Sequence, residues 1–218
     1  CPCGYETIKE FNKITKKIDA VRRCPDRGFD CNRIAKEKLK HFVSKEAFNI
    51  DGFGKKIVEN FCKINLIRFP QDIFKLDYDK IQKLDGWGKL SVDNLRYSIN
   101  EKKQISLERF IYSLGIRHIG LENAKLLAKY FGSFLKFKAL SKKNNYNDLL
   151  NVDGIGETQI VSIKNFFTKK TNRTILDELE KILKIQRSKI INKAGILKDK
   201  SILITGKLDN ISRAEVKS

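Results

Sequence analysis

One short pattern, a glycine-containing turn followed by an amphipathic run, occurs four times in this chain of 218 residues. The copies, called hairpins one to four below, are Ile50–Gly54 (IDGFG), Leu84–Gly88 (LDGWG), Ile116–Gly120 (IRHIG) and Val152–Gly156 (VDGIG). Their final glycines lie 34, 32 and 36 residues apart. A period of this length is typical of stacked helical units, so the repeat constrains the fold more than any other feature.

Apolar residues recur at fixed distances after each final glycine. The positions four and seven residues later are Val58, Val92, Ala124 and Ile160, then Phe61, Leu95, Leu127 and Ile163. Residues at this spacing share one face of a helix, so each turn is predicted to open a helix that packs against its neighbours. The pattern is typical of the helix-hairpin-helix module and predicts a mainly α fold. Two further helices are predicted, one from Ile34 to about Phe48 and one over Ile175–Ile185.

The chemistry of these turns favours an anionic ligand. A Gly-x-Gly turn accepts positive φ and lets the backbone approach a ligand closely. The N–H groups at the start of the following helix, together with the positive end of its dipole, attract phosphate. The candidate DNA-binding residues are Gly52, Gly54, Lys55, Lys56, Gly86, Gly88, Lys89, Arg117, His118, Gly120, Gly154, Gly156 and Thr158.

The four hairpins differ in the residues around the glycines. Lysines directly follow hairpins one and two, which are therefore predicted to bind phosphate most strongly. Hairpin three has His118 in place of its first glycine, and hairpin four is followed by Glu157, which repels phosphate, although Thr158 can still donate a hydrogen bond. For hairpins three and four a purely structural role is the alternative interpretation.

The charge balance supports a polyanionic partner. The chain has 45 Lys and Arg against 26 Asp and Glu, a formal net charge of +19. Such an excess favours nucleic acid and predicts binding that weakens steeply with salt. The sequence shows neither a signal peptide nor an apolar stretch long enough to span a bilayer, which predicts a cytoplasmic protein that does not bind membranes. As a protein that binds nucleic acid, it is expected to associate with the nucleoid, and it is expected to be a monomer. No catalytic residue is assigned.

Four cysteines near the start of the chain form a candidate metal site. They are Cys1 and Cys3, a C-x-C pair, and Cys24 and Cys31, a C-x6-C pair. The intervening segment is long enough for a short β-hairpin that brings the pairs together, and four thiolates predict a closed structural zinc site. The one-residue spacer leaves open which of Cys1 and Cys3 binds metal. Reduced thiols without metal are the alternative, and Cys62 is predicted to be a small core residue.

The chain resembles the C-terminal half of bacterial NAD-dependent DNA ligases. The resemblance rests on Cys1–Gly4, Arg23-Cys24 and Cys31, on His41–Phe48 leading into hairpin one, on Leu114–Gly120, and on Lys200–Leu208 followed by Ser212-Arg213. The last of these segments is similar to the opening of a BRCT domain. The resemblance therefore implies residues 1–32 as a zinc-finger module, 33–188 as a helix-hairpin-helix DNA-binding domain, and 189–218 as a linker with a truncated α/β BRCT start.

The resemblance also implies a function. Family members seal nicks in duplex DNA during replication and repair, through an adenylated lysine and an adenylated 5′-phosphate. By resemblance, the hairpin domain clamps nicked double-stranded DNA, while NAD and Mg²⁺ bind to regions absent here. The one Lys-x-Asp-Gly tetrapeptide in these 218 residues, Lys83–Gly86, overlaps the turn of hairpin two. It is therefore not assigned as an adenylation site, and the chain alone is expected to be inactive. The alternative is a non-enzymatic DNA-binding or repair-recruitment protein that shares the hairpins.

Overall fold

A computed structural model of the chain describes residues 1, 3–9, 11–12, 16–18, 20–24, 28–143 and 146–188. Within this part the fold is mainly helical, as the sequence predicts. The elements are β1 (Phe11–Asn12), β2 (Lys17–Ile18), α1 (Asn32–Phe42), α2 (Lys55–Lys63), α3 (Tyr78–Gln82), α4 (Lys89–Glu101), β3 (Gln104–Ser106), α5 (Leu107–Ser113), α6 (Leu121–Phe131), α7 (Phe134–Lys138), α8 (Glu157–Thr168), α9 (Lys170–Ile182) and β4 (Lys184–Gln186). Short 3₁₀ turns cover Gly28–Asp30, Pro70–Lys75, Ala139–Lys142 and Asn147–Asn151.

Each hairpin opens a helix at its final glycine. Gly54, Gly88, Gly120 and Gly156 are the residues before α2, α4, α6 and α8. Their φ values run from −72° to −101°, with extended ψ, which is the usual backbone of a residue that precedes a helix. The predicted repeat of turn and helix is therefore confirmed.

The predicted apolar faces form one core. Of the eight positions four and seven residues after the final glycines, seven are buried and Ile160 is partly buried against the same cluster. The cluster runs through the helices of all four repeats and takes in Phe29 near the cysteines. Burial of this shared face, rather than any single repeat, therefore stabilises the fold.

The segment between the two cysteine pairs forms the predicted β-hairpin. Strands β1 and β2 pair antiparallel, with Phe11 opposite Ile18, and an isolated bridge joins Ile8 to Arg23. Phe11 and Ile18 are both exposed. Among its described residues, this small module thus buries few apolar side chains of its own, and its shape depends on other contacts.

Two predicted helices have different limits in the structure. A helix expected from Ile34 to Phe48 ends at Phe42, because the chain turns back on itself and the N–H groups of Ala47 and Asn49 both donate to the Ser44 carbonyl. Asn49 has a φ of +51°, which a right-handed α-helix does not accommodate.

The second of these helices, expected over Ile175–Ile185, spans Lys170–Ile182 instead. The residues after it form strand β4, parallel to β3, with Ile105 opposite Ile185. Local helical periodicity does not reveal a strand partner some 80 residues away. The predicted linker and BRCT start at 189–218 lie outside the described residues. No helix within the described residues has the length and apolar character needed to cross a bilayer.

We expect replacement of Leu127 in α6 by Ala to lower the free energy of unfolding by about 2–5 kcal/mol. Leu127 is 0% exposed in the shared core, so truncation leaves a cavity. The matched control is Leu135→Ala in α7, where the side chain is 66% exposed and the change should cost at most about 0.5 kcal/mol. Urea unfolding followed by circular dichroism measures both, and equal losses would contradict the assignment of the core.

Candidate nucleic-acid interface and cysteine cluster

The four hairpins share one backbone conformation. In each, the first residue accepts a hydrogen bond at its carbonyl from the fourth residue's N–H, at 2.9–3.2 Å. The third residue lies in the left-handed region, with φ of +74° at Gly52, +78° at Gly86, +62° at His118 and +84° at Gly154. A β-turn that needs positive φ at its third residue favours glycine there, which explains the recurring first glycine.

His118 adopts this conformation without being a glycine. A left-handed φ costs a residue with a Cβ on the order of 1 kcal/mol, so the surrounding structure must compensate. The Asn123 side-chain amide donates to the His118 carbonyl at 3.0 Å and holds the turn from the first turn of α6. Hairpin three therefore keeps the geometry of the other copies, and the His118 ring is exposed beside it.

Hairpins one, two and three face open space. A Cβ added at Gly52, Gly54, Gly86, Gly88 or Gly120 would meet no atom within 4 Å. The helices that follow them, α2, α4 and α6, each begin after a glycine, which has no side chain to accept from their first N–H groups. Since the first N–H groups of a helix lack intrahelical partners, these three helix starts present donors to a ligand.

Hairpin four differs, because the protein itself occupies its surroundings. A Cβ at Gly154 would lie 2.8 Å from Cδ1 of Leu126 in α6. The N–H of Gly156 donates to Oε1 of Gln159 at 3.2 Å, so a side chain already takes the place that a phosphate oxygen would fill. The sequence reveals the repulsive Glu157 but not the contact of Leu126, because Leu126 belongs to another repeat. The contact of Gln159 is local, and a glutamine three residues after a helix start is the signal that could have predicted it.

Charge divides the hairpins differently, with hairpins one and two on one side and hairpins three and four on the other. Lys55, Lys56 and Lys89 are exposed, and the first turns of α2 and α4 contain no acidic residue. The first turn of α6 contains Glu122, paired with Lys125 at 2.7 Å, and that of α8 contains Glu157. Hairpins one and two thus combine open amides with an unopposed positive first turn. That these residues bind DNA stays a prediction.

The structure brings all four predicted cysteine ligands together. The sulfurs of Cys1, Cys3, Cys24 and Cys31 lie within 4.8 Å of one another, with Cys3 to Cys24 at 3.4 Å and Cys24 to Cys31 at 3.9 Å. Sulfurs bound to one tetrahedral ion at about 2.3 Å lie about 3.8 Å apart, so the spacing fits a metal ion. Both members of the C-x-C pair reach the cluster despite their one-residue spacer.

The thiols of the cluster perturb one another. Burial, together with hydrogen bonds to Cys3 and Cys31, raises the pKa of Cys24 to about 11. A backbone hydrogen bond at Tyr5 lowers the pKa of Cys3. Crowded thiolates repel one another, so full ionisation of such a cluster needs a cation among the sulfurs. Cys62 lies outside the cluster, partly buried against the core, as predicted.

Comparison with known proteins gives two kinds of match, one to part of the chain and one across all or most of it. A family profile described as a helix-hairpin-helix motif matches residues 109–176, the part that holds hairpins three and four. The DNA ligase of Pelagibacter ubique (strain HTCC1062) is 63% identical over 219 aligned positions, which cover 100% of this chain. Over its whole length, the chain is similar to a DNA ligase.

A second DNA ligase, from Rickettsia rickettsii (strain Sheila Smith), is 44% identical and covers 92% of the chain. The resemblance to DNA ligases drawn from the sequence is confirmed. The chain spans about a third of the length of these relatives, 32% of the first and 31% of the second.

Proposed function

We propose that this chain is the DNA-binding region of an NAD-dependent DNA ligase that seals nicks in duplex DNA during replication and repair. The observation that carries the proposal is the set of three open hairpins, each ending at an uncapped helix start. Similarity to DNA ligases along the whole chain supports duplex DNA as the anion. The NAD dependence rests on the family resemblance of the sequence segments described above.

Binding of this kind does not depend on base sequence. Every nucleotide presents the same phosphate oxygens, so backbone N–H groups and lysines that bind phosphate position the protein without reading bases. Exposed Lys55, Lys56 and Lys89 add full charges beside the amides of hairpins one and two. The net charge of +19 draws the polyanion to the surface and retains it there. The protein is proposed to act on DNA as a monomer.

We further propose that the four cysteines hold one structural Zn²⁺. All four ligands come from the protein, which leaves no coordination position for a substrate. The module of residues 1–32 exposes Phe11 and Ile18, so metal binding would supply much of its folding free energy. Residues 33–188 are proposed as the DNA-binding domain, and 189–218 as a linker with the start of a BRCT domain.

The catalytic step is assigned to other parts of a DNA ligase. Adenylyl transfer needs the lysine of a Lys-x-Asp-Gly motif together with NAD and Mg²⁺. The one such tetrapeptide in the 218 residues, Lys83–Gly86, belongs to hairpin two, where Gly86 forms the turn before α4. The described residues therefore contribute by binding and orienting the duplex. This chain alone is proposed to be inactive in nick sealing.

We expect sequence-independent binding to nicked duplex DNA at low salt, measured by fluorescence anisotropy with two duplexes of unrelated sequence. Lys55, Lys56, Lys89 and Arg117 together predict that log affinity falls with log salt at a slope of roughly −3 to −4. Failure to bind either duplex at low salt would falsify the proposal. A strong preference for one sequence would contradict backbone binding.

The residue before α4 provides a sharper test. We expect Gly88→Asp to weaken duplex binding by about tenfold or more, because it places a negative charge at the proposed phosphate site. Aspartate is a favourable residue at a helix start, so the fold should persist. Gly88→Ser is the uncharged control and should weaken binding much less.

Gly156→Asp makes the same change at hairpin four, where Gln159 already holds the glycine N–H. It should reduce affinity for the duplex less than Gly88→Asp does. Equal affinity of wild type and Gly88→Asp in the same anisotropy titration would show that hairpin two does not bind phosphate.

Metal content tests the cysteine site. We expect about one zinc per chain in the purified protein, and its loss in Cys24→Ser, because a hydroxyl is a poor replacement for a thiolate ligand. Cys62→Ser is the matched control, since Cys62 lies outside the cluster and should leave the zinc in place. Elemental analysis by mass spectrometry measures the ratio. Zinc retained in Cys24→Ser, or absent from wild type, would contradict the assignment.

A further inference from the structure

Two side chains of α1 contact the end of α5, directly before hairpin three. Nζ of Lys38 donates to the Gly115 carbonyl at 2.9 Å, and Nε2 of His41 donates to the Tyr112 carbonyl at 2.7 Å. The His41 ring also lies edge-on to the Tyr112 ring, with centroids 4.6 Å apart. The carbonyl end of a helix is negative, so a lysine there is stabilising.

The close approach of α1 to the end of α5 depends on a glycine, Gly115. Gly115 has a φ of +58°, and a Cβ there would lie 3.3 Å from Cδ2 of His41 and 3.7 Å from Nζ of Lys38. A residue with a Cβ would therefore be strained by the positive φ and would displace the His41 ring by a few tenths of an ångström. The residue that allows the contact is also the one before hairpin three.

A side chain of α5 makes the reciprocal contact, directly before hairpin one. Nε of Arg109 donates to the Ala47 carbonyl at 2.8 Å, and its Nη2 donates to the Lys45 carbonyl at 2.6 Å. These carbonyls belong to the turn that links α1 to hairpin one. The planar guanidinium reaches both at once, which fixes the direction as well as the distance of the contact.

We call Lys38, His41 and Arg109 the cross-brace. Its four hydrogen bonds join residues 62 to 77 positions apart in sequence. The helix before hairpin one holds the approach to hairpin three, and the helix before hairpin three holds the approach to hairpin one. Neither hairpin can shift relative to the other without breaking bonds between charged or polar side chains and carbonyls.

We propose that the cross-brace residues are positioning residues that fix hairpins one and three as a single unit, set to bind two phosphate groups of one duplex at the same time. This inference rests on the proposed DNA-binding function. Once one hairpin has bound, a fixed separation keeps the other at a high effective concentration next to the second phosphate group. Loosening that separation lowers the overall affinity for the duplex. The cross-brace thus acts on DNA through the hairpins.

The experiment compares Arg109→Met with Arg173→Met by anisotropy on nicked duplex at one low salt concentration. Arg173 is a matched control: it is also partly exposed and donates to two carbonyls, of Phe167 and Thr168, but these lie only six and five positions away. Each variant loses one positive charge. We expect Arg109→Met to weaken binding about tenfold and Arg173→Met about twofold at most.

A double-mutant cycle separates positioning from direct contact. Gly120→Asp disables hairpin three, so in that background Arg109→Met should cause little further loss, because there is no second binding point left to position. Arg109→Lys should restore part of the affinity, since a lysine can still reach one carbonyl. Circular dichroism confirms folding, and Lys38→Met replaces Arg109→Met in the cycle if the latter does not fold.

Three results would overturn the inference. Equal losses for Arg109→Met and Arg173→Met would show an effect of charge alone. Additive losses for Arg109→Met and Gly120→Asp would show that Arg109 acts independently of hairpin three. Wild-type affinity in the variants, with wild type binding normally, would remove the cross-brace from DNA binding. Wild type failing to bind any duplex at low salt overturns the proposed function as well.

Discussion

The proposed binding surface depends on the tight turn before each helix, because the first N–H groups of that helix have no backbone partner. Positive φ at the third residue of each hairpin reverses the chain, and the final glycine then starts a helix with extended backbone. The N–H groups that follow have no carbonyl one turn earlier to bond with. Hairpins one, two and three therefore present helix-start N–H donors at open surface, and phosphate is a ligand that suits them.

One backbone geometry repeated four times does not give four equal sites. In hairpins one, two and three the glycines face open space, whereas Leu126 and Gln159 approach the glycines of hairpin four. The same turn can thus serve as a ligand site or as a packing element, depending on what the neighbouring helices place next to it. The binding role proposed for each hairpin follows from these surroundings rather than from the motif.

Local chemistry made much of the fold and of the candidate site predictable from the sequence. Turns, helix starts and the burial of Phe61, Leu95, Leu127 and Ile163 follow from spacing within one repeat, and the cysteine cluster follows from ligand chemistry. The contacts of Arg109, the approach of Leu126 to Gly154 and the pairing of β3 with β4 were not predicted. Each joins residues distant in sequence, where no periodic signal exists. The end of α1 at Phe42 was missed because the turn after it is stabilised by its own backbone hydrogen bonds.

Backbone amide resonances of the protein, followed by NMR during titration with nicked duplex DNA, test the central claim most directly. The account predicts the largest shifts at the amides of residues 54–56 and 88–90, with smaller ones at 156–158, because Gln159 already engages the amide of Gly156. Shifts confined to lysines elsewhere on the surface, with the amides at Gly54 and Gly88 unchanged at saturation, would contradict it.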